Sequence, residues 1–306
     1  MYDVIIIGGG PAGLTSAIYA SQLKLKTLLI EKRICGGKLI EVNLINNYPG
    51  FNIGISGNDL SERLLKHANK PEISIIYEEA LKIHVNNNTT KEIITNNASY
   101  NTKVVIIASG TSNKTLGIPG ESKFLGKGIS LCSICDAPFY IKKNILIIGN
   151  NETAIKNAIY LSKFANNIKI INKKNKFMSE TNQYEKLKQC KNIEVIYNTI
   201  LEKICGDDYV KTVKIKNVNT GIVNQLNIDG VFIFIGMKPN NSFIMNDVIN
   251  NFGYVIVNPI SMSTKIPGIF ACGDIKQNKI KQIITATADG AIAILNAKSY
   301  IDSLNI

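Results

Sequence analysis

Residues 4–31 read VIIIGGGPAGLTSAIYASQLKLKTLLIE, and this stretch decides the fold. Its first four residues form an apolar run typical of a buried strand, and a glycine-rich turn follows at once. Leu14–Leu23 has the apolar spacing of a helix, and Thr27–Ile30 is a second apolar strand that ends at Glu31. The order of strand, glycine turn, helix and strand predicts a βαβ unit of the Rossmann type.

The turn has the spacing G-x-G-x-x-G, with an acidic residue about 20 positions further on. Gly8 allows the tight turn, Gly10 lets the backbone approach a pyrophosphate, and Gly13 lets helix and strand pack closely. The helix N-terminus adds free N–H groups and positive partial charge for the phosphates. Glu31 stands where an acid binds ribose hydroxyls. We therefore predict a dinucleotide site here, in preference to a glycine turn without a ligand.

A second unit of the same kind follows further along the chain. Ile145–Ile148 is an apolar strand, Ile155–Phe164 has helical spacing, and Ile168–Ile171 is the next strand. The turn between the first strand and the helix, Gly149–Ala154, has Asn151 in place of the second glycine. We expect this side chain to obstruct a pyrophosphate lying against the backbone. The scaffold is retained, while its ligand site looks altered.

The C-terminal part supplies another strand and turn at Gly268–Asp274 and an apolar-faced helix at Thr285–Ser299. This part is too short and too poor in strands for an independent domain, so we expect it to return to the first one. The sequence thus predicts an α/β protein with two Rossmann-like (doubly wound, three-layer) domains. The first domain comprises 1–113 plus 243–306, and the second, 114–242, is inserted into it.

Composition narrows the class of protein. The chain has 306 residues, of which 45% are hydrophobic and 19% charged, which suits buried cores and argues against disorder. No apolar run reaches the roughly 18 residues of a membrane span, and the N-terminus lacks the basic region and cleavage site of a signal peptide. Six cysteines without a secretion signal favour a reducing compartment. We predict a cytoplasmic protein that does not bind membranes.

The positive charge is unevenly distributed. The formal net charge is +12, and residues 114–242 contribute +9 of it, from 19 lysines and ten acidic residues. Such a field favours an acidic partner. Only Arg33 and Arg63 are arginines, so the planar groups that bind phosphate and guanine in pairs of hydrogen bonds are nearly absent. We therefore do not expect nucleic acid as a partner.

Cys132 and Cys135 form a C-x-x-C motif, and Asp136 follows it directly. Two such cysteines can close a disulfide across one helical turn, where the helix dipole lowers a thiol pKa. The main alternative is half of a zinc site, which needs a second pair or nearby histidines. No second C-x-x-C exists, and His67 and His84 lie in the other domain without ligand spacing. Redox chemistry is favoured over zinc or inert thiols, and no metal site is predicted.

These motifs in this order resemble the low-molecular-weight thioredoxin reductases over essentially the whole chain. The resemblance rests on the two units, on the C-x-x-C-D motif and on shorter landmarks in the same register. The landmarks are Gly36-Gly37, Asn47–Phe51, Ala108–Gly110, Gly117–Glu121, Phe234–Gly236, Pro239-Asn240, Ala271–Asp274, Gln282 and Gly290-Ala291. So many landmarks in register argue against a chance similarity.

The resemblance implies that FAD binds to the first domain. Asp274 would bind its ribityl–phosphate region, and Gln282 would lie near the flavin. The cofactor-binding residues that we expect are Gly8, Gly10, Pro11, Ala12, Gly13, Glu31, Gly37, Lys38, Asn47, Ala108, Gly110, Gly273, Asp274, Gln282 and Ile283. Lys38 departs from the family, which usually has glutamine at that place.

The resemblance also implies a path for electrons. Cys135 would face the flavin and form the charge-transfer contact, and Cys132 would attack the disulfide of thioredoxin. Asp136 would donate a proton to the departing thiolate, which agrees with the general need of such an exchange for a thiolate, a leaving group and an acid. An N-cap or surface carboxylate is the alternative role for Asp136. Members of the family form homodimers, and we expect one here.

The inserted domain departs from the family at the NADPH site. The family has a G-x-G-x-x-A turn, a downstream Glu pair, and a His-Arg-Arg run with a further arginine. Here the turn contains Asn151, and Lys156-Asn157 replaces the Glu pair. Asn172–Lys174 replaces the basic run, and Met178 stands at the place of the last arginine. The two lysines of that run could meet a 2′-phosphate only as point charges.

This pattern looks like the ferredoxin-dependent flavin thioredoxin reductases of anaerobic bacteria, in which a one-electron iron–sulfur donor replaces NADPH. Ferredoxins are typically acidic, and the net charge of the inserted domain would suit docking one. The leading hypothesis is FAD-dependent reduction of thioredoxin with electrons from ferredoxin, which makes NADPH doubtful. One alternative is an NAD(P)H-dependent thioredoxin reductase with an atypical nucleotide site. Another is a non-catalytic flavoprotein that senses redox state through the cysteine pair.

Overall fold

The computed structural model of the chain describes residues 1–42, 44–86, 89–177, 182–278 and 280–304. Both strands and helices are present, as expected of an α/β protein, and two runs of strands, 73–113 and 193–239, contain no helix among their described residues. None of the helices in these ranges is long and apolar enough to cross a membrane.

Seventeen strands and seven α-helices form within the described part of the chain. The strands are β1 (Tyr2–Ile7), β2 (Thr27–Glu31), β3 (Ile73–Tyr77), β4 (Ala80–Val85), β5 (Lys91–Thr95), β6 (Ser99–Ile107), β7 (Thr111–Asn113), β8 (Ile129–Ser130), β9 (Asn144–Ile148), β10 (Asn167–Ile171), β11 (Ile193–Ile196), β12 (Thr199–Gly206), β13 (Val210–Asn217), β14 (Val223–Asn227), β15 (Gly230–Ile233), β16 (Met237–Pro239) and β17 (Ile269–Ala271). The α-helices are α1 (Pro11–Gln22), α2 (Gly57–Ala68), α3 (Glu121–Phe124), α4 (Ser133–Asp136), α5 (Glu152–Leu161), α6 (Asn182–Lys188) and α7 (Ile283–Ser303). Short 3₁₀ helices lie at Gly37–Glu41, Ala137–Tyr140, Asn246–Val248 and Gly273–Ile275.

The chain divides into two compact units. Unit 1 comprises Met1–Ser112 together with Lys238–Ile306, and unit 2 comprises Asn113–Met237. The two segments in which the chain crosses between the units, β7 and β16, pair with each other as a two-stranded sheet. The order of the units along the chain is that of an insertion.

The second crossing lies earlier than the boundary that we expected at 242/243. Asn240 is held by unit 1, because its backbone N–H donates to the carbonyl oxygen of Gly110 at 3.1 Å. Its side-chain amide donates to the carbonyl oxygen of Ser109 at 2.8 Å. These bonds bring the chain back to unit 1 at 237/238, a step that local sequence patterns do not reveal.

Unit 1 is built on a seven-stranded sheet in the order β3-β2-β1-β6-β5-β4, with β17 also paired to β6. β1, β2, β3, β6 and β17 run parallel, whereas β4, β5 and β6 form an antiparallel meander. Residues 4–7 of β1 are all apolar, because both faces of the strand are buried there. Val4 and Ile6 pack into the core that includes α1 and α7, and Ile5 and Ile7 pack into the core on the other face.

Helices α1 and α7 lie close together at Gly290. A Cβ atom there would lie 2.2 Å from the carbonyl oxygen of Ala12, so this position requires glycine. The hydroxyl of Ser16 donates to the carbonyl oxygen of Gly290 at 2.9 Å. A Cβ atom on Gly273 would lie 2.9 Å from the Ala12 Cβ, so the turn after β17 also lies against the start of α1. The C-terminal stretch thus completes the first Rossmann-like domain.

Unit 2 repeats this design on a smaller sheet. Its five strands run in the order β11-β10-β9-β15-β8, with parallel pairings throughout. One buried cluster includes the apolar side of α5, and the other includes β12 and β13 of a three-stranded antiparallel sheet. The predicted strands of this unit lie within β9 and β10. The helix that we expected to reach Phe164 ends at Leu161, where the chain turns.

Candidate functional site

The glycine turn of unit 1 forms an open cradle at the start of α1. Gly8 has φ +110°, and a Cβ atom there would lie 2.4 Å from the carbonyl oxygen of Ala108. A Cβ atom on Gly13 would lie 1.8 Å from the carbonyl oxygen of Gly8. Gly10 is the N-cap without a side-chain cap, a Cβ atom there would meet nothing within 4 Å, and Pro11 begins the helix. The space over Gly10 and the N–H groups of the first turn fit a diphosphate.

Glu31, the predicted ribose-binding acid, is tied to this turn. Its carboxylate accepts the backbone N–H of Gly9 at 2.7 Å and that of Arg33 at 3.0 Å. Each carboxylate oxygen has a further lone pair with which it could accept a ribose hydroxyl. The thiol of Cys35 packs beneath Gly9, and burial, followed by the charge of Glu31, raises its pKa to about 11. This cysteine is therefore a packing group, as expected of a buried thiol.

Polar groups gather around Asp274 on the loop after β17. The Lys38 Nζ lies 2.6 Å from the Thr111 hydroxyl and 3.3 Å from the Asp274 carboxylate. The Lys281 Nζ donates to the carbonyl oxygen of Asp274 at 2.7 Å. Burial lowers the pKa of Lys281, while the charge of Asp274 opposes that shift. One ammonium group on the Asp274 carboxylate and another on its backbone carbonyl leave an excess of positive charge, which suits the phosphates of a dinucleotide.

The remaining predicted cofactor residues lie in the same unit. A Cβ atom on Gly37 would lie 3.2 Å from the Gly10 Cα, so this second glycine turn adjoins the first. The Asn47 side-chain amide donates to the Gln282 side-chain oxygen at 3.1 Å. Gln282 is the N-cap of α7, and Ile283 is the first residue of that helix. Every residue that we expected to bind FAD thus belongs to unit 1.

Cys132 and Cys135 form a disulfide in unit 2. Cys132 is the N-cap of α4, and its Sγ accepts the backbone N–H of Cys135 at 3.3 Å. Between the cysteines, Ser133 is buried and donates its hydroxyl to the side-chain oxygen of Asn157, whereas Ile134 is 55% exposed. The pair therefore closes across one helical turn, as its spacing predicted. In the described ranges, no group of three or more His, Cys, Asp or Glu side chains could hold a metal ion.

Asp136 supplies an acid next to this disulfide. Burial raises its pKa, and a hydrogen bond from Ser130 opposes the shift. The pKa of nearby Tyr140 rises to about 12, through burial first and then through the charges of Asp136 and Asp229. Asp136 precedes the 3₁₀ helix Ala137–Tyr140, but its side chain makes no cap hydrogen bond there. A carboxyl with a raised pKa keeps its proton to higher pH, which is the property of a proton donor.

In unit 2, a side chain fills the glycine-type turn at the start of α5, whereas the corresponding turn in unit 1 is open. Asn151 is the N-cap of α5, and its side-chain oxygen accepts the backbone N–H of Ala154 at 2.9 Å. Its side-chain nitrogen donates to the carbonyl oxygen of Phe234 at 3.1 Å. The Asn151 side chain thus occupies an N–H group in the first turn of α5. In unit 1, Gly10 has no side chain, so the corresponding N–H groups of α1 are not capped by it.

The other altered positions of this turn have partners of their own. Lys156 forms an ion pair with Glu152 at 2.6 Å, one turn apart on α5. Asn172 is buried, and its side-chain oxygen accepts the backbone N–H of Lys174 at 2.9 Å. The exposed Lys174 follows the carboxyl end of β10, the edge at which parallel sheets bind nucleotides. Met178 lies outside the described residues.

The sequence did not predict three of the contacts at these sites. Thr111 and Lys281 contact Asp274, and Asn157 contacts the redox helix α4 through Ser133. Lys281 precedes the landmark Gln282, which was the one local signal for it. Thr111 belongs to no motif, and Asn157 was noted only as part of the replaced Glu pair. The partners of both residues come from distant parts of the chain.

Two Rossmann-type units, one with an open dinucleotide cradle and the other with a C-x-x-C disulfide beside a half-buried acid, define a dinucleotide-dependent disulfide oxidoreductase. The family model described as pyridine nucleotide-disulphide oxidoreductase matches residues 2–290. A thioredoxin reductase of Treponema pallidum is 37% identical over 303 residues, which cover 99% of this chain and 98% of that protein.

Solved structures agree with this assignment. The thioredoxin reductase from Streptococcus pyogenes is 35% identical, with a TM-score of 0.95 and 99% of both chains covered. A ferredoxin-flavin thioredoxin reductase from Clostridium acetobutylicum is 30% identical, with a TM-score of 0.52 over 99% of this chain and 98% of that one. The chain therefore belongs to the thioredoxin reductases of the pyridine nucleotide-disulphide oxidoreductase family, which are flavin-dependent enzymes.

Proposed function

We propose that this protein reduces the disulfide of a thioredoxin through its own Cys132–Cys135 pair, with FAD bound in unit 1. The observation that carries the proposal is the disulfide at the start of α4 with the half-buried Asp136 beside it. FAD, when bound at the open turn over Gly10, would supply the electrons that reduce this pair. The name of the relatives supports thioredoxin as the substrate.

The chemistry of the reduced pair follows from its placement. The Cys132 thiolate attacks one sulfur of the substrate disulfide, that S–S bond breaks, and the departing substrate thiolate takes a proton from Asp136. The Cys135 thiolate then attacks the Cys132 sulfur, which re-forms the protein disulfide and releases the second substrate sulfur. The dithiol loses two protons as its two thiolates form. One of them replaces the proton that Asp136 gave up, and the other protonates the second substrate sulfur. Two electrons and two protons thus leave the protein, and the substrate becomes a dithiol.

We propose reduced ferredoxin, a one-electron iron–sulfur protein, as the electron donor. The side chain of Asn151 caps α5 at the place where a pyridine nucleotide would put its pyrophosphate. The net charge of +9 in residues 114–242 suits an acidic protein partner. The similarity to the Clostridium acetobutylicum enzyme, whose name includes ferredoxin, points in the same direction.

NAD(P)H is the second candidate donor, and specific observations favour it. The matching family is named for pyridine nucleotides, and the structure with a TM-score of 0.95 belongs to a protein named simply thioredoxin reductase. Lys174 is exposed at the nucleotide-binding edge of the unit 2 sheet, where its charge could meet a phosphate.

We further propose that the protein acts in the cytoplasm as a homodimer. Light scattering of the purified protein tests the dimer.

An anaerobic titration of the flavoprotein separates these donors. The flavin absorbance is followed first with NADPH and NADH and then with reduced ferredoxin, and free thiols are counted in added thioredoxin. Bleaching by ferredoxin alone, followed by multiple turnovers of thioredoxin, supports the first proposal. Prompt bleaching by NADPH identifies the second donor instead. A reversible disulfide without turnover of any thioredoxin would make the protein a redox sensor and contradict both.

A further inference from the structure

Lys276 and Asp289 form the most buried ion pair within the described ranges. The Lys276 Nζ lies 2.8 Å from the Asp289 Oδ1, and the two side chains are 11% and 9% exposed. Burying an ion pair is not in itself a gain in stability, because the loss of hydration offsets the attraction between the charges. A pair kept at this depth therefore points to a requirement for a particular geometry.

The geometry concerns the loop that carries Asp274. Asp289 lies in α7, and its Oδ2 accepts the backbone N–H of Gly273 at 3.2 Å. Its Oδ1 binds the side chain of Lys276, and the Lys276 N–H in turn donates to the carbonyl oxygen of Gly273 at 3.3 Å. One carboxylate thus holds both ends of the loop, with Asp274 between the two points of attachment.

The same loop is seated on the cofactor turn of unit 1. Gly273 has φ +74° and lies so close to Ala12 that a Cβ atom would be 2.9 Å from the Ala12 Cβ. Gly290, which follows Asp289, lies so close to α1 that a Cβ atom there would be 2.2 Å from the carbonyl oxygen of Ala12. The helix that carries the carboxylate is therefore fixed against α1, and the carboxylate fixes the loop to that helix.

We propose that Asp289, together with Lys276, is a positioning residue that sets the orientation of Asp274 for FAD. Asp289 is buried, so it acts through the loop and not on the cofactor itself. The inference rests on FAD binding in unit 1, which is part of the proposed function. It adds two residues that lie beside the landmarks Ala271–Asp274 and Gly290-Ala291 but do not belong to them.

The test measures how fast the purified holoenzyme releases FAD, from the rise in flavin fluorescence after dilution. Asp289→Asn keeps the size of the side chain but removes the charge that binds Lys276, and we expect FAD release to become at least tenfold faster. Asp302→Asn is the matched control, because Asp302 forms an exposed ion pair with Lys298 on the same helix. The control should release FAD within twofold of the wild-type rate.

A double-mutant cycle separates positioning from a general loss of structure. If Asp289 acts through Asp274, then Asp289→Asn should change the release rate less than twofold in an Asp274→Asn background. Multiplicative effects of the two substitutions would overturn the proposal. The proposal would also be overturned if Asp289→Asn released FAD at the wild-type rate and only its melting temperature fell. That result would mean that Asp289 stabilises the fold without positioning Asp274.

Substitutions of Lys276 give a second test of the same proposal. Should Asp289→Asn fail to fold, Lys276→Met carries the test, and Lys276→Arg should restore slow FAD release because it keeps the charge. Equal release rates in the Met variant and in the wild type would overturn the proposal. If the wild-type protein takes up no FAD, the proposed function itself is refuted. If the wild type binds FAD and the Asp289 variant releases it at the same rate, only the positioning role is refuted.

Discussion

Exchanging Gly10 for asparagine would give α1 the cap that Asn151 gives α5. The two N-cap residues have similar backbones, with φ −74° and ψ −175° at Gly10 and φ −104° and ψ 171° at Asn151. A Cβ atom on Gly10 would meet nothing within 4 Å. Asparagine therefore fits without strain, and its side chain would bind an N–H group of the first helical turn.

The two consequences of Gly10→Asn have opposite signs. The new cap should raise the free energy of unfolding of the apoprotein by a few tenths of a kcal/mol, the usual difference between glycine and asparagine at an N-cap. The bound diphosphate should lose one or two charge-assisted hydrogen bonds, each of about 1.5–3 kcal/mol. A total loss of about 1.5–6 kcal/mol raises the Kd of FAD by roughly 10-fold to 20,000-fold.

The assay compares wild type, Gly10→Ala and Gly10→Asn. FAD is removed, its Kd is measured by fluorescence titration, and the melting temperature of each apoprotein is recorded. Alanine adds a methyl group without a cap, so it should weaken FAD binding less than asparagine and should not raise the melting temperature. A folded Gly10→Asn protein that binds FAD within threefold of wild type would refute the idea that this open helix start holds the diphosphate.

Three further predictions concern unit 2. Cys135→Ser should retain FAD but lose thioredoxin reduction, because no second thiol remains to release the substrate. The control is Cys205→Ser, which removes a half-buried free thiol of β12 in the same unit. Wild-type turnover of Cys135→Ser would remove the pair from the mechanism. Burial raises the pKa of Asp136 in the folded protein. The wild type therefore loses stability as the pH rises above the ordinary pKa of an aspartate, because the unfolded state ionises first. The melting temperature of Asp136→Asn relative to wild type should therefore increase as the pH rises above about 4. Turnover of the variant should fall by about 10²-fold or more, and an unchanged rate would exclude Asp136 as the proton donor. Asn151→Gly should lower stability by about 1 kcal/mol, since it loses its cap and the bond to Phe234, and it should not by itself confer NADPH turnover; a gain of turnover would show that this one side chain blocks the nucleotide.

The order and type of the main elements could be predicted from local sequence. The apolar strands, the glycine turns and the amphipathic helices repeat over stretches of about 30 residues, and backbone sterics at Gly8 and Gly13 restrict such a turn to one geometry. The disulfide was predictable in the same way, because Cys132 and Cys135 are neighbours across a single helical turn. Ends of elements and the second crossing between the units were less predictable, since they depend on bonds such as those of Asn240.

The residues around the loop of Asp274 show what the sequence alone could not reveal. Lys38 contacts Asp274 across 236 positions of the chain, and neither residue belongs to a pattern that contains the other. Asp289 resembles any helical acid until the packing of α7 on α1 places its carboxylate against Gly273 and Lys276. The sequence by itself determined the two Rossmann-type units, the glycine cradle and the redox pair, because short-range sterics and hydrophobic periodicity decide those. The tertiary structure decided which charges surround the cofactor loop and what fills the helix start in unit 2, because side chains far apart in sequence find their partners only when the core has packed.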